Sequence, residues 1–215
     1  MTLLSPNNDL ASVRDEKTTG GNQLFPVFLK LNELHTVLIG AGNVGLEKLT
    51  AILSNSKHAR VTVIGENIIP GIKTLAIGFP QIKIIQKTFI DTDLDGADLV
   101  IAATDNSDLN NYIRQAAHER KLLINVADKP ELCDFYLGSI VQKGDLKIGI
   151  STNGKSPTFA KRIREVLEEI LPDSINDILE NLAKIREKLK GDFEYKVKKM
   201  EEITAAMKND NSNPS

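Results

Sequence analysis

Thr36-Val-Leu-Ile-Gly-Ala-Gly-Asn-Val-Gly-Leu-Glu-Lys48 is the stretch on which the reading of this chain turns. It opens as an apolar, β-branched strand and runs straight into Gly40-x-Gly42-x-x-Gly45 and then a helix-forming segment. In a dinucleotide-binding turn each glycine has a physical reason. Gly40 permits the tight turn out of the strand, and Gly42 lets the backbone approach a pyrophosphate. Gly45 lets the helix pack closely on the sheet with its N-terminus facing the phosphates. The fingerprint also asks for a carboxylate about 20 residues further on, after a second strand. Arg60-Val-Thr-Val-Ile64 supplies the strand and Glu66 the carboxylate, which can accept hydrogen bonds from the adenosine ribose hydroxyls. No Arg or Lys follows Glu66, which favours NAD over NADP. The competing reading is a tight strand-to-helix turn with no ligand.

At 215 residues the chain is long enough for one generous domain with an appendage. A formal net charge of -2 gives no electrostatic footprint for nucleic acid or a membrane surface. Cys133 is the sole cysteine, so no internal disulfide forms, and a reducing cytoplasm is the natural compartment. Its plain reading is a small hydrophobe. Residues 1–22 mix Asp, Arg, Lys, Asn and Gly without the apolar core of a signal peptide and read as a flexible leader. No uninterrupted apolar run is long enough to span a bilayer.

Apolar runs then alternate with helix-period segments, as in a parallel α/β sheet. Strands are expected at Thr36–Ile39, Val61–Ile64, Ile82–Gln86, Leu99–Ala103 and Leu122–Val126. Helices are expected at Asn43–Ser54, Ile69–Ile77 and Asp108–Arg120, the last capped from Thr104-Asp105-Asn106. This makes residues 23–130 a Rossmann-type NAD-binding domain. Phe135–Val141 and Leu146–Ser151 flank Gln142-Lys-Gly-Asp145 and read as an antiparallel hairpin. Ser156-Pro157 opens a helix carrying Phe159, Ile163, Val166, Leu167 and Ile170 at helical spacing, so residues 131–171 form a separate hairpin-and-helix module. Ile175–Met207 reads as helical again, with Ile178, Leu179, Leu182, Ile185 and Leu189 forming an apolar face, within a C-terminal helical region over 172–207. Residues 208–215 read as a disordered tail.

Taken in order, Phe25-Pro-Val-Phe-Leu29 with the glycine turn, Ala102-Ala-Thr-Asp105, Asn125-Val-Ala-Asp128 and Ile150-Ser-Thr-Asn-Gly-Lys-Ser-Pro157 resemble the precorrin-2 dehydrogenase family of sirohaem synthesis. That family includes the N-terminal half of sirohaem synthase and stand-alone dehydrogenase/ferrochelatases. The resemblance covers about Gln23 to Leu171. It implies a homodimer in which residues 131–171 are the dimerisation module, with an active cleft between that module and the Rossmann face. It further implies NAD-dependent oxidation of precorrin-2 to sirohydrochlorin. In many members ferrous iron is then inserted to give sirohaem.

The resemblance places Asp128 at the carboxylate used in dehydrogenation and chelation. Its position just past the last predicted strand is where open α/β sheets present ligands, although Asp is also a common turn residue. Asn43, Val44, Glu66 and Asn67 match the family's dinucleotide contacts. Thr104 and Asp105 end the fourth strand on the same edge and can line the nicotinamide side, while a helix cap explains Asp105 nearly as well. The polycarboxylate substrate calls for cations and amide donors. Lys161, Arg162 and Arg164 sit early in their helix, against the order its macrodipole favours, and Ser151-Thr152-Asn153-Gly154-Lys155 precede it. A solvated amphipathic face is the alternative, and Thr152 has no assigned role. The three histidines, His35, His58 and His118, lack metal-ligand spacing, so no fixed metal site is expected and iron is a substrate.

Two other functions compete. An NAD-sensing regulatory module needs the glycine turn and Glu66 but neither Asp128 nor the basic helix. An ordinary small-molecule dehydrogenase needs a Tyr-Lys or His-Asp constellation beside the nicotinamide, and Tyr112 and Tyr136 lie in the wrong contexts. Lacking the methyltransferase domain of the fused enzyme, the chain is expected to receive precorrin-2 from a separate methyltransferase.

Overall fold

The computed structural model describes residues 21–205. The expected leader, apart from its last two residues, and the expected tail lie outside the described residues. Strands β1 (His35–Ile39), β2 (Arg60–Gly65), β3 (Lys83–Gln86), β4 (Leu99–Ala102) and β5 (Leu123–Val126) form one parallel sheet in the order β3-β2-β1-β4-β5. Helices α1 (Asn43–Asn55), α2 (Pro70–Ile77) and α3 (Ser107–Glu119) make the crossovers. Successive residues of a strand point to opposite faces, and both faces here are covered. Leu38, Val61, Val63 and Ile101 pack with Leu49 and Leu53 of α1 and Ile72 of α2. Val37, Ile39, Val100, Ile124 and Val126 pack with Ile113, Ala116 and Ala117 of α3. Double burial is why these strands read as continuous apolar runs.

Each predicted strand and helix of this half exists, with ends shifted by a residue or so. The order reverses between β1 and β4. At that switch point the chain leaves both strands outward at their carboxyl ends, which opens a crevice there.

Past β5 the chain departs from the expected pattern at one point. The first hairpin strand begins at Ser139, not Phe135: β6 (Ser139–Lys143) pairs with β7 (Leu146–Ile150). Phe135 instead packs into the core on the α1 and α2 side, and Asn125 Nδ2 donates to its carbonyl at 2.8 Å. Gly144, at φ +57°, takes the first central position of the two-residue turn, where a side chain is strained. Helix α4 (Pro157–Ile170) then packs on β6.

The stretch expected to be helical holds two helices, α5 (Ile175–Lys188) and α6 (Phe193–Thr204). Leu189 leaves the helical path, Gly191 adopts φ +134°, and the Asp192 side chain accepts from the Tyr195 amide at 2.8 Å to start α6. A glycine followed by an N-capping aspartate is a stop and a restart. Among the described residues no helix is long and apolar enough to cross a membrane.

Candidate functional site

The crevice at the switch point is a cleft of about 660 Å³, within the usual range for small-molecule and cofactor sites. Gly40, Gly42, Asn43, Val44, Glu66, Asn67, Thr104, Asp105 and Asp128 all line it. Gly45 lies buried just beneath. The sequence reading therefore brought one site together from β1, β2, β4 and β5.

The three glycines are needed for different reasons. Gly40 has φ +105°, and a Cβ there would collide with the carbonyl of Ala103, while one at Gly45 would collide with the carbonyl of Gly40. Gly45 is thus fixed by the turn itself, more than by close packing on the sheet as expected. Gly42 differs: its φ is -88°, and a Cβ there would meet nothing within 4 Å. Among the described residues nothing sterically requires glycine at 42, and the space beside it is open to the cleft. The first internal bond of α1 runs from Leu46 N to Gly42 O at 2.9 Å, which leaves the amides of Asn43, Val44 and Gly45 without helical acceptors. No side chain caps them. An open glycine beside uncapped amides fits a pyrophosphate.

Glu66 follows β2 and is held in place. Thr88 Oγ1 donates to its carboxylate at 3.0 Å, and Gln86 Nε2 donates to its carbonyl at 2.9 Å. This fixed carboxylate stands at one end of the cleft, where a ribose would meet it, and the ends of β4 and β5 form the other. There Thr104 Oγ1 donates to Asn110 Oδ1 at 2.7 Å, while Asn110 Nδ2 returns a bond to the Thr104 carbonyl at 3.1 Å. The Thr104 hydroxyl is therefore engaged with α3. Asn106, not Asp105, caps that helix, accepting from the amides of Asp108 and Leu109 at 3.0 Å. Asp105 is left free of the cap, and among the described residues no side chain pairs with it or with Asp128.

Asp128 occupies the third position of the turn Val126-Ala127-Asp128-Lys129, closed by the Lys129 amide donating to the Val126 carbonyl at 3.3 Å. Its φ is +58°, a left-handed conformation that costs a non-glycine residue roughly 1–2 kcal/mol. Glycine would relax that strain, so an aspartate here keeps its carboxylate at the cost of some stability. Cys133 braces the turn. The Val126 amide donates to its Sγ at 3.2 Å, and the thiol lies 3.2 Å from the Val126 carbonyl and 3.3 Å from the Lys129 carbonyl. Burial pushes the thiol pKa up, which keeps the proton available for donation.

Lys87, Phe89, Leu109 and Asn110 also line the cleft and were not singled out from the sequence. Asn110 carried a signal, as a polar residue on the apolar stripe of α3 with Ile113 and Ala117. Lys87 and Phe89 follow an edge strand and reach the cleft only because β3 lies beside β2.

Ser151, Thr152, Asn153, Gly154, Lys155, Lys161, Arg162 and Arg164 do not line the cleft of this chain. The loop amides are also largely engaged: Asn153 N donates to Ser151 Oγ, Lys155 N to the Thr152 carbonyl, and Ser156 N to Thr152 Oγ1. Thr152 thereby braces the start of α4. Arg162 pairs with Glu165 of its own helix at 2.8 Å. Arg164 stands 3.7 Å from Glu168, and its shielded Nε has no hydrogen-bond partner among the described residues.

Residues 27–139 match the family described as putative NAD(P)-binding, and residues 143–170 match the one described as sirohaem biosynthesis protein central. The siroheme synthase of Thioalkalivibrio sulfidiphilus is 36% identical over 148 residues, covering 69% of this chain and 30% of the relative. That of Methylobacillus flagellatus is 33% identical over 172 residues, covering 80% and 36%. The chain thus spans about a third of the length of these curated relatives. A solved structure titled SirC, precorrin-2 dehydrogenase superposes with a TM-score of 0.67 at 22% identity, over 84% of this chain and 89% of that one, which shows a shared fold. With the glycine turn, the fixed carboxylate after β2 and both matched segments in this order, the chain belongs to the family described as putative NAD(P)-binding, and continues into a segment matching the sirohaem biosynthesis central family.

Proposed function

We propose that this protein is an NAD-dependent precorrin-2 dehydrogenase that produces sirohydrochlorin for sirohaem synthesis. The observation that carries the reading is the strained, unpaired Asp128 at the nicotinamide end of a cleft whose other end is built for an adenosine ribose. Bound NAD supplies the hydride acceptor. The uncapped amides of α1 hold the pyrophosphate, Glu66 orients the ribose, and Asp128 Oδ accepts the proton that the macrocycle loses. Asp105 is a second carboxylate at the same end and is the control for this role.

The substrate is a polycarboxylate, and Lys161, Arg162 and Arg164 are the cations proposed to meet it. Because they lie on a separate module, the proposal includes a homodimer in which one copy's module completes the other's cleft. Support comes from uncovered apolar side chains: Phe159, Val166 and Ile170 on α4 are more than half exposed, as are Phe25, Val27 and Phe28. Ferrous iron insertion is a further step that the same carboxylates can assist, and the single reduced thiol suits a cytoplasmic setting.

Anaerobic incubation with enzymatically generated precorrin-2 and NAD tests the reading, with NADH and the macrocycle spectrum recorded together. NADH appearing alongside sirohydrochlorin is the expected result, and ferrous iron added afterwards tests chelation against a metal-only control. NAD binding without NADH formation would discard the enzyme in favour of a sensor. Asp128→Asn should slow turnover about 100-fold or more with NAD affinity retained. Loss on Asp105→Asn alone would transfer the proton-accepting role to Asp105.

A further inference from the structure

Glu66 is not the only charged group at the adenosine end of the cleft. The Lys87 amide donates to the Gly65 carbonyl at 3.1 Å, one step past the paired ends of β2 and β3. This stitches Lys87 beside Glu66, and Lys87, Glu66 and Asn67 all line the cleft. A free lysine ammonium there would be a ready partner for a phosphate on the adenosine 2′ oxygen. It is not free: Lys87 Nζ lies 2.5 Å from Asp93 Oδ1, whose side chain is only 11% exposed. Asp93 is itself anchored, because its Oδ2 accepts from the Ile90 amide at 3.0 Å at the start of the short helical turn Asp91–Leu94.

We infer that the Asp93–Lys87 ion pair, together with Glu66, determines which dinucleotide the cleft accepts, by neutralising the cation that stands beside Glu66, where a 2′ phosphate would lie. The inference rests on the NAD-binding reading of this cleft. With Asp93 in place, Glu66, Lys87 and Asp93 leave the corner with one net negative charge. That charge suits a ribose with two free hydroxyls and repels a 2′ phosphate. The chain thus discriminates against NADP while carrying a lysine in reach of its distinguishing group. Sequence spacing hides this arrangement, since Lys87 is well removed from Glu66 along the chain and meets it only across the β2–β3 pair.

The test measures NAD and NADP binding by calorimetry, without turnover. Asp93→Asn keeps an oxygen acceptor for the Ile90 amide and removes the charge. It should lower the ratio of the NADP Kd to the NAD Kd about tenfold, the value of one charge-assisted hydrogen bond. Adding Lys87→Met to Asp93→Asn should restore the original ratio. The unaltered protein gives a second readout that needs no variant. Salt screens repulsion, so the NADP-to-NAD Kd ratio should fall as ionic strength rises. A ratio that instead rises with salt means that Lys87 already contacts the phosphate, and it overturns the inference. Tight NAD binding with a ratio unmoved by Asp93→Asn overturns it while leaving the NAD reading intact. Failure of the unaltered chain to bind either dinucleotide overturns both.

Discussion

In the glycine turn of the sheet domain, the amides of Asn43, Val44 and Gly45 have no helical acceptors, whereas in the loop before α4 the amides of Asn153, Lys155 and Ser156 are all answered from within the loop. The contrast runs the other way for apolar groups. Strand residues such as Val37, Leu38 and Val63 are wholly buried, while Phe159, Val166 and Ile170 of α4 face outward. One half therefore has a finished core and unfinished polar groups at its cleft. The other has finished polar groups and an unfinished apolar face. The proposed dinucleotide would complete the first kind of surface, and the proposed second copy of the chain the second.

The sharpest way to break this comparison is at the two glycines of one turn. Gly40→Ala should unfold the domain or destabilise it by several kcal/mol, because φ +105° and the Ala103 carbonyl both oppose a Cβ. Gly42→Val should leave the melting temperature close to that of the parent and lower NAD affinity by about 100-fold, since its surroundings are open and only the pyrophosphate needs the space. Thermal melts and calorimetry on both variants check the pair. If Gly42→Val unfolds the protein, the space has a structural use.

Next in size is the outward face of α4. Val166→Asp with Ile170→Asp should convert a homodimer to a monomer in sedimentation experiments and reduce turnover while sparing NAD binding. A parent already monomeric at assay concentration would sink the shared-cleft proposal. Asp128→Gly should then show opposite signs in two assays: about 1 kcal/mol more stable through relief of its φ, yet inactive. Cys133→Ala should cost roughly 1–2 kcal/mol by leaving the Val126 amide without its sulfur acceptor. Iodoacetamide should label the native thiol more slowly than the unfolded one, because burial raises its pKa.

The smallest effect belongs to Asp173. Lys143 Nζ donates to it at 2.7 Å and to the Leu171 carbonyl at 2.8 Å, tying β6 to the end of α4. That hydrogen bond holds the Asp173 carboxyl below the ordinary carboxylate range. A lowered folded value stabilises above the unfolded value, and the benefit is lost as pH falls through the folded one. Lys143→Met should therefore lower Tm slightly near neutrality and less in acid, flattening the acid limb of a plot of Tm against pH.

How much was legible follows from the range of each signal. The parallel sheet showed through because strands buried on both faces must be apolar throughout, and its helices showed through because caps and periodicity are local. The break between α5 and α6 is also written locally, in Gly191-Asp192, a helix stop followed by a capping residue. The misplaced start of β6 came from Phe135, whose hydrophobicity suits a strand and a core anchor equally.

The sequence by itself determined the glycine turn, the carboxylate Glu66 after the second strand and the succession of sheet, hairpin and helix, because backbone conformation and alternating burial constrain residue types over short spans. The tertiary structure alone decided that Gly42 is open while Gly45 is not, that Asn110 holds Thr104, and that Lys87 meets Glu66 only to be neutralised by Asp93. Those facts depend on which strands lie side by side and which groups face one another across a gap, and short-range patterning carries no record of either.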